Sequence, residues 1–203
     1  MTAPVNGYCT LADLKSPQVL NLTVSTYDQL LCDIITGVSR AIDNTLSRHF
    51  YSSTASETRY YTPKQETSLY IGDTVSVSAV ATDTLDGKRT YPYTWATTDY
   101  DLWPFDAPTT GEPYRFIDVT PNGNYTFPLK LAKGVSVTGI FGWAAVPPPI
   151  AEACLLQSAV VYKRFQTPLG VSAMSALGQQ IVRVPGIDLM YISLIGSYRM
   201  PPV

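Results

Sequence analysis

The sequence predicts an α+β fold in which a small α-helical bundle is interrupted by a large inserted antiparallel β region. Two changes of period carry that prediction. Apolar residues recur at helical spacing up to about residue 48 and again from residue 148, whereas between residues 50 and 141 the pattern alternates with a period of two. The turn signals Asp86-Gly87 and Asn122-Gly123 both fall inside the alternating stretch. A chain of 203 residues can bury a sizeable core and reads as a single domain. Residues 10–49 and 142–203 would form its helical core, and residues 50–141 the insertion.

Residues 1–9 carry Pro4, Asn6 and Gly7 and read as a loose arm. Thr10 stands three residues before Asp13, a spacing that predicts a capped short helix over Leu11–Ser16. Thr26 with Gln29 forms a capping-box pattern. Leu30, Leu31, Ile34, Ile35, Val38, Ala41, Ile42 and Leu46 then form an apolar stripe, with Asp33, Thr36, Ser39, Arg40, Asp43 and Asn44 on the other face. The long helix is placed at about 27–48. His49, the sole histidine, follows it and reads as a helix-terminal imidazole facing the last carbonyls.

Strand candidates rich in Tyr, Val and Thr come next: Arg59–Thr62, Ser68–Ile71, Thr74–Thr82, Thr90–Thr97, Tyr114–Val119, Tyr125–Phe127 and Val135–Ile140. The segment Asp99–Pro113, with Pro104, Pro108 and Pro113, reads as a long irregular loop. The last strand ends in Gly142-Trp143, where glycine permits a backbone turn that a Cβ would hinder and Trp143 is expected to pack over the start of the next helix. Proline pre-sets φ for a first helical turn and needs no amide partner there, so Pro148-Pro149 opens a helix over about 148–166. Its stripe is Ile150, Ala153, Cys154, Val161 and Phe165, widened by Leu155, Leu156 and Val160. Thr167–Gly186, with Gly170, Gly178 and Gly186, reads as flexible, and a short C-terminal helix follows over about 187–198.

Composition narrows the function. Hydrophobic residues make up 45% and charged residues 15%, well under the ordinary charged share of about 25%. Fourteen tyrosines and sixteen prolines accompany that low charge. Either much of the surface is covered by other chains, or a Thr/Ser-rich β surface needs few charges. With a net charge of −2 and no run of lysine or arginine, the phosphate neutralisation that stable nucleic-acid binding requires is missing. Cys9, Cys32 and Cys154 are widely spaced and read as buried free thiols of a reducing compartment. The sequence as given opens on no signal-peptide pattern, and no apolar run reaches the roughly 18 residues of a membrane span.

The succession of strand, Gly142-Trp143, prolines and helix over Val137–Arg164 resembles the bacteriophage head–tail connector proteins, also called adaptor or head-completion proteins. Further matches lie at Thr167–Val171, at Ile187–Arg199, and at Thr98–Pro104 with Gly111–Tyr114. Together they run from about Thr10 to Arg199. The resemblance implies a single connector domain with Gly142, Trp143, Pro148 and Pro149 as its structural motif, and a non-enzymatic role. It also implies a ring of identical subunits, usually twelve, beneath the portal protein. Such a ring extends the DNA channel without reading DNA sequence, docks the next neck or tail-completion protein and helps retain the genome. Localisation would be host cytoplasm during assembly, then the virion neck, with no membrane contact. Within that frame the proline-stiffened end Tyr198, Arg199, Met200, Pro201, Pro202, Val203 is the candidate portal contact. The aromatics Tyr100, Trp103, Phe105 and Tyr114 are candidate contacts to a neighbouring subunit or neck protein.

Candidates for chemistry are thin. No catalytic, cofactor-binding or metal-ligating set is assigned, since one histidine excludes an all-histidine site and no GxSxG, HExxH or phosphate-loop pattern occurs. Asp99, Asp101, Asp106 and Glu112 gather among the same aromatics. They read as a solvated loop; the alternative is a β module on a virion protein that binds or cleaves carbohydrate, or binds another protein. A second neck, stopper or tail-completion protein is the remaining alternative.

Overall fold

The computed structural model describes residues 3–84, 86–166, 171–174, 181–183 and 189–200. The chain divides into two compact units, residues 1–48 with 146–203, and residues 49–145. The first is built around helices and the second is an antiparallel sheet, so the α+β class with an inserted β region is the observed one.

In the helical unit, α1 (Leu11–Lys15) begins as the sequence predicts: Thr10 Oγ1 accepts from the Asp13 backbone N–H at 3.1 Å. The long helix α2 spans Asp28–Leu46. Its N-cap is Tyr27 and makes no side-chain capping bond, so the Thr26–Gln29 capping box is not used. The buried Asp28 carboxylate takes over, placing negative charge on the first helical turn and pairing with Lys15 Nζ at 2.5 Å.

The buried face of α2 is Leu31, Cys32, Ile35, Val38, Ile42 and Leu46, joined by Ser39 and Asp43. Ala41, assigned to the stripe, is exposed, and Leu30 and Ile34 are only half-buried. The rotation has a cause in the arm, whose described residues 3–9 are docked rather than loose. Tyr8 is buried, donating its backbone N–H to Ser39 Oγ at 3.1 Å and its hydroxyl to Asp43 Oδ1. Arg40 donates to the Asn6 carbonyl at 2.9 Å and lies over the Tyr8 ring. Ser39 and Asp43 are inside because their polar atoms receive the arm.

Helix α4 spans Pro148–Gln166, the expected bounds; the short α3 precedes it in the β unit. Its buried residues are Ile150, Ala153, Cys154, Gln157, Ser158, Ala159 and Tyr162, whereas Phe165 is 67% exposed. Polar Gln157 and Ser158 on the inner face turned the real stripe away from the one that hydrophobicity alone marks. Helix α5 (Leu189–Gly196) ends before the expected residue 198, with Tyr191 and Ile195 buried. Two strands, Val171–Met174 and Ile181–Arg183, pair antiparallel within the stretch read as flexible; the remainder of 167–186 and residues 187–188 lie outside the described residues.

The β unit contains β1 (Glu57–Tyr61), β2 (Ser68–Thr82), β3 (Tyr93–Thr94), β4 (Tyr100–Trp103), α3 (Ala107–Thr110), β5 (Tyr114–Val119) and β6 (Val135–Phe141). The sheet runs β1-β6-β2-β5-β4, with β3 beside β2. Two predicted strands merge into the 15-residue β2, which changes register between Tyr70 and Thr74 around Gly72, at φ +75°. Its first part pairs with β5 and its second with β6. Gly139 on β6 is required by this pairing, because a Cβ there would stand 2.1 Å from the Ser76 carbonyl oxygen.

Three strand expectations need correction. Thr90–Thr97 contracts to β3, the supposed loop Asp99–Pro113 contains β4 and α3, and Tyr125–Phe127 is no strand. Tyr125 and Phe127 are drawn out of ladder pairing by Trp95, on which both rings stack at 5.8 and 4.7 Å. The core gathers Trp95, Tyr100 and Phe127 with Leu69, Ile71, Val80, Ile117, Val135, Val137 and Phe141.

The insertion is closed where its two ends meet. Ser53 N–H donates to the Phe141 carbonyl at 2.8 Å, and Phe141 N–H returns a bond to Ser53 Oγ. Gly142, at φ +107°, donates to the Asp73 carbonyl at 2.8 Å, and a Cβ there would stand 1.9 Å from the Tyr51 carbonyl oxygen. Trp143 is buried, its indole N–H on Asp73 Oδ2 at 3.2 Å and its ring 5.3 Å from Phe50. Trp143→Ala should therefore cost about 3–5 kcal/mol of stability in urea unfolding, as for other buried aromatic truncations. A loss below about 1 kcal/mol, within the ordinary range for surface positions, would contradict this packing.

Candidate functional site

Strand β4 ends the strand order, and its pleat sorts the predicted contact residues. Tyr100 turns inward: it is 7% exposed, belongs to the core around Trp95, and has its phenol pKa raised by burial. Trp103 turns outward and is 40% exposed; Phe105, just beyond it, is 69% exposed. Tyr114 is half-buried on β5. The structure thus brings Trp103 and Phe105 together at the sheet edge and removes Tyr100 from the outer surface.

Two further residues join Trp103 that the sequence reading missed. Register places Trp103 opposite Phe116, and Phe116 opposite Tyr70. The rings follow, with Phe116 5.8 Å from Trp103 and 5.3 Å from Tyr70, both edge-on. Tyr70, Phe116 and Trp103 therefore form an aromatic row across three strands. The signal was present in the sequence: Leu69 and Ile71 take the inward phase of β2, so Tyr70 between them must face out. Asp101 and Asp118 stand opposite each other in the same outward phase. Like charges directly opposed destabilise a ladder, so this face suits a partner that brings an apolar anchor and a positive charge.

The remaining acids are dispersed. Asp99 is 2% exposed rather than solvated, and accepts from the Asn124 backbone N–H at 3.0 Å, Asn124 Nδ2 at 2.8 Å and the Ala96 N–H at 2.9 Å. Those donors, the Asn124 backbone first, hold its pKa below the ordinary aspartate value. The carboxylate thereby serves the turn before β4 and does not face the same way as Asp101. Asp106 is exposed before α3, and Glu112 lies 3.7 Å from Arg115. His49 lies with its ring 5.2 Å from that of Tyr51. Cys9, Cys32 and Cys154 are buried free thiols. Among the described residues no cluster of metal-ligating side chains forms, and no helix is long and apolar enough to cross a membrane.

In the helical unit the C-terminal segment is tied down as far as it is described. The Tyr198 carbonyl accepts from Arg48 Nη1 at 3.1 Å, and Met200 N–H reaches the Leu46 carbonyl at the end of α2 at 3.4 Å. Arg199 is exposed, and Pro201, Pro202 and Val203 lie outside the described residues. Beside this segment an apolar groove of about 720 Å³ runs between α2, α4 and α5, lined by Ile34, Val38, Ala41, Val161, Tyr191 and Ile195 among others. Ile34 and Ala41, displaced from the buried stripe, contribute its α2 side.

No protein-family model and no curated protein matches this sequence. Solved structures do. The chain is similar to one in the neck of an empty GTA particle computed with C6 symmetry, at TM-score 0.56 and 16% identity, covering 100% of this chain and 95% of that one. It is also similar to a chain in the virion of a native gene transfer agent (GTA) particle, at TM-score 0.54 and 17% identity, with the same coverage of both chains. The fold is shared along the whole chain.

The depressed pKa of Asp99 makes a signed prediction. A carboxyl whose folded pKa lies below its unfolded value of about 3.9 contributes stability above that value and loses it as pH falls through the folded pKa. Asp99→Asn should lower the urea midpoint at pH 7 and flatten the fall in stability on the acid side. An acid limb as steep as that of the parent protein would show that Asp99 is not a source of the linkage.

Proposed function

We propose that this protein is a structural component of the neck of a tailed-phage-like particle, assembled as a ring of identical subunits at the portal vertex. The observation that carries the reading is the fold shared end to end with a chain from a particle neck computed with C6 symmetry. The motif resemblance, read independently from Val137–Arg164 and its companions, points the same way. In this reading the ring, twelvefold in the resembled family, extends the DNA channel and docks the next neck or tail-completion protein.

The physical requirements of that role suit the chain. Repetition around a ring multiplies modest single contacts into a stable joint, and head-to-tail contacts must close on themselves. A net charge of −2 without basic runs lets DNA pass without being held. The exposed pair Trp103 and Phe105, backed by Phe116 and Tyr70, offers aromatic anchors of the kind that dominate buried contacts. Tyr198–Val203 is the portal contact in this reading, its base fastened by Tyr198 to Arg48 and by Met200 to the last turn of α2.

Two variants separate the two contacts. Deleting Arg199–Val203 should leave the fold intact and weaken capture by immobilised portal at least tenfold. Trp103→Ser with Phe105→Ser should leave the thermal midpoint within a few degrees of the parent and reduce incorporation into particles. Both variants binding and incorporating like the parent would remove these surfaces from the joint. Replacing Asp101 and Glu112 with Asn and Gln addresses the carbohydrate alternative. Release of reducing sugar by the parent protein and its loss in that variant would replace the neck reading with a hydrolase.

A further inference from the structure

We propose that Cys9 and Cys154 are a modification site, an internal dithiol that closes to a disulfide under peroxide and fastens the N-terminal arm to α4. The two residues are 145 positions apart in sequence, yet their sulfurs stand 3.5 Å from each other, both buried. No spacing motif announces them. The fold alone brings them together, through the docking of Tyr8 on Ser39 and Asp43.

Their surroundings give the two thiols different parts. Cys154 Sγ lies 3.5 Å from Ser39 Oγ and 4.0 Å from Ser158 Oγ, besides the Cys9 thiol. The Cys9 thiol donates to Cys154 Sγ, and that hydrogen bond favours the Cys154 thiolate and lowers its pKa. Cys9 is pushed upward for the complementary reason, holding the proton it gives to Cys154. Cys154 is therefore the attacking sulfur and Cys9 the resolving one. Cys32 is also buried, and its pKa is raised, mainly by desolvation, so it serves as an internal control.

The chemistry balances with hydrogen peroxide as the oxidant. The Cys154 thiolate attacks one peroxide oxygen, the O–O bond breaks, and hydroxide leaves to be protonated to water, giving a sulfenic acid. The Cys9 sulfur then attacks Cys154 Sγ, the S–S bond forms, the S–O bond breaks, and the departing hydroxide takes the Cys9 proton as a second water. Two thiols lose two electrons and one peroxide becomes two waters. The covalent link restricts the unfolded chain and so stabilises the folded one. It depends on the arm and α4 alone, and stands whether or not the neck reading does.

The test uses the reduced, full-length protein treated with a small molar excess of hydrogen peroxide, alkylated, and mapped by peptide mass spectrometry. The expected result is a peptide pair joined through Cys9 and Cys154 with Cys32 recovered alkylated. A thermal midpoint raised by several degrees and returned by dithiothreitol should accompany it. Cys9→Ser and Cys154→Ser should each abolish the joined pair, and Cys32→Ser should leave it. Recovery of Cys9 and Cys154 as free thiols, their separate over-oxidation, or links through Cys32 would each overturn the proposal.

Discussion

The β unit depends on the clasp that closes its ends. Tyr51–Ser53 runs against Phe141–Trp143, held by the Ser53–Phe141 exchange, by Gly142 on the Asp73 carbonyl and by the Trp143 indole on the Asp73 carboxylate. An insertion of this length can interrupt a helical unit only if its two ends return to one place. The pairing of β1 with β6, from Glu57↔Gly139 to Tyr61↔Val135, continues the clasp into the sheet. Gly142 is the point with least freedom, since both its positive φ and the Tyr51 oxygen exclude a side chain. Between residues 48 and 146 the chain builds its own core around Trp95 and Phe141, while α2 and α4 belong to a separate core.

What could be read from the sequence was local. The Thr10 cap, the Pro148–Gln166 helix and the alternation of β6 rest on neighbours a few positions away, and each stands where it was expected. What could not be read was set by distant partners. Ser39 and Asp43 look solvated until the arm arrives, and Gln157 and Ser158 look solvated on α4 until their burial is seen. The prolines and acids of Asp99–Pro113 imitate a loop, whereas Asp99 is the anchor that starts β4 by binding Asn124 from 25 positions away. A hydropathy stripe cannot report a polar group whose partner lies elsewhere in the chain.

The candidate surface shows the same division. Tyr100, Trp103, Phe105 and Tyr114 share one aromatic-rich segment, but strand phase sends Tyr100 to the core and Trp103 to the outside. The outward phase of Tyr70 is local, but its place beside Phe116 and Trp103 is set by register, which no local pattern reveals. The result is a row of rings next to opposed carboxylates at a sheet edge. In the helical unit the C-terminal segment is tied to the last turn of α2, where Met200 N–H reaches the Leu46 carbonyl.

The measurement that bears most directly on the neck reading is electron microscopy of the purified protein mixed with its portal. Class averages should show portals carrying an added layer of density with rotational symmetry, closed around an axial channel. Bare portals beside dispersed single subunits, at concentrations well above micromolar, would contradict the account.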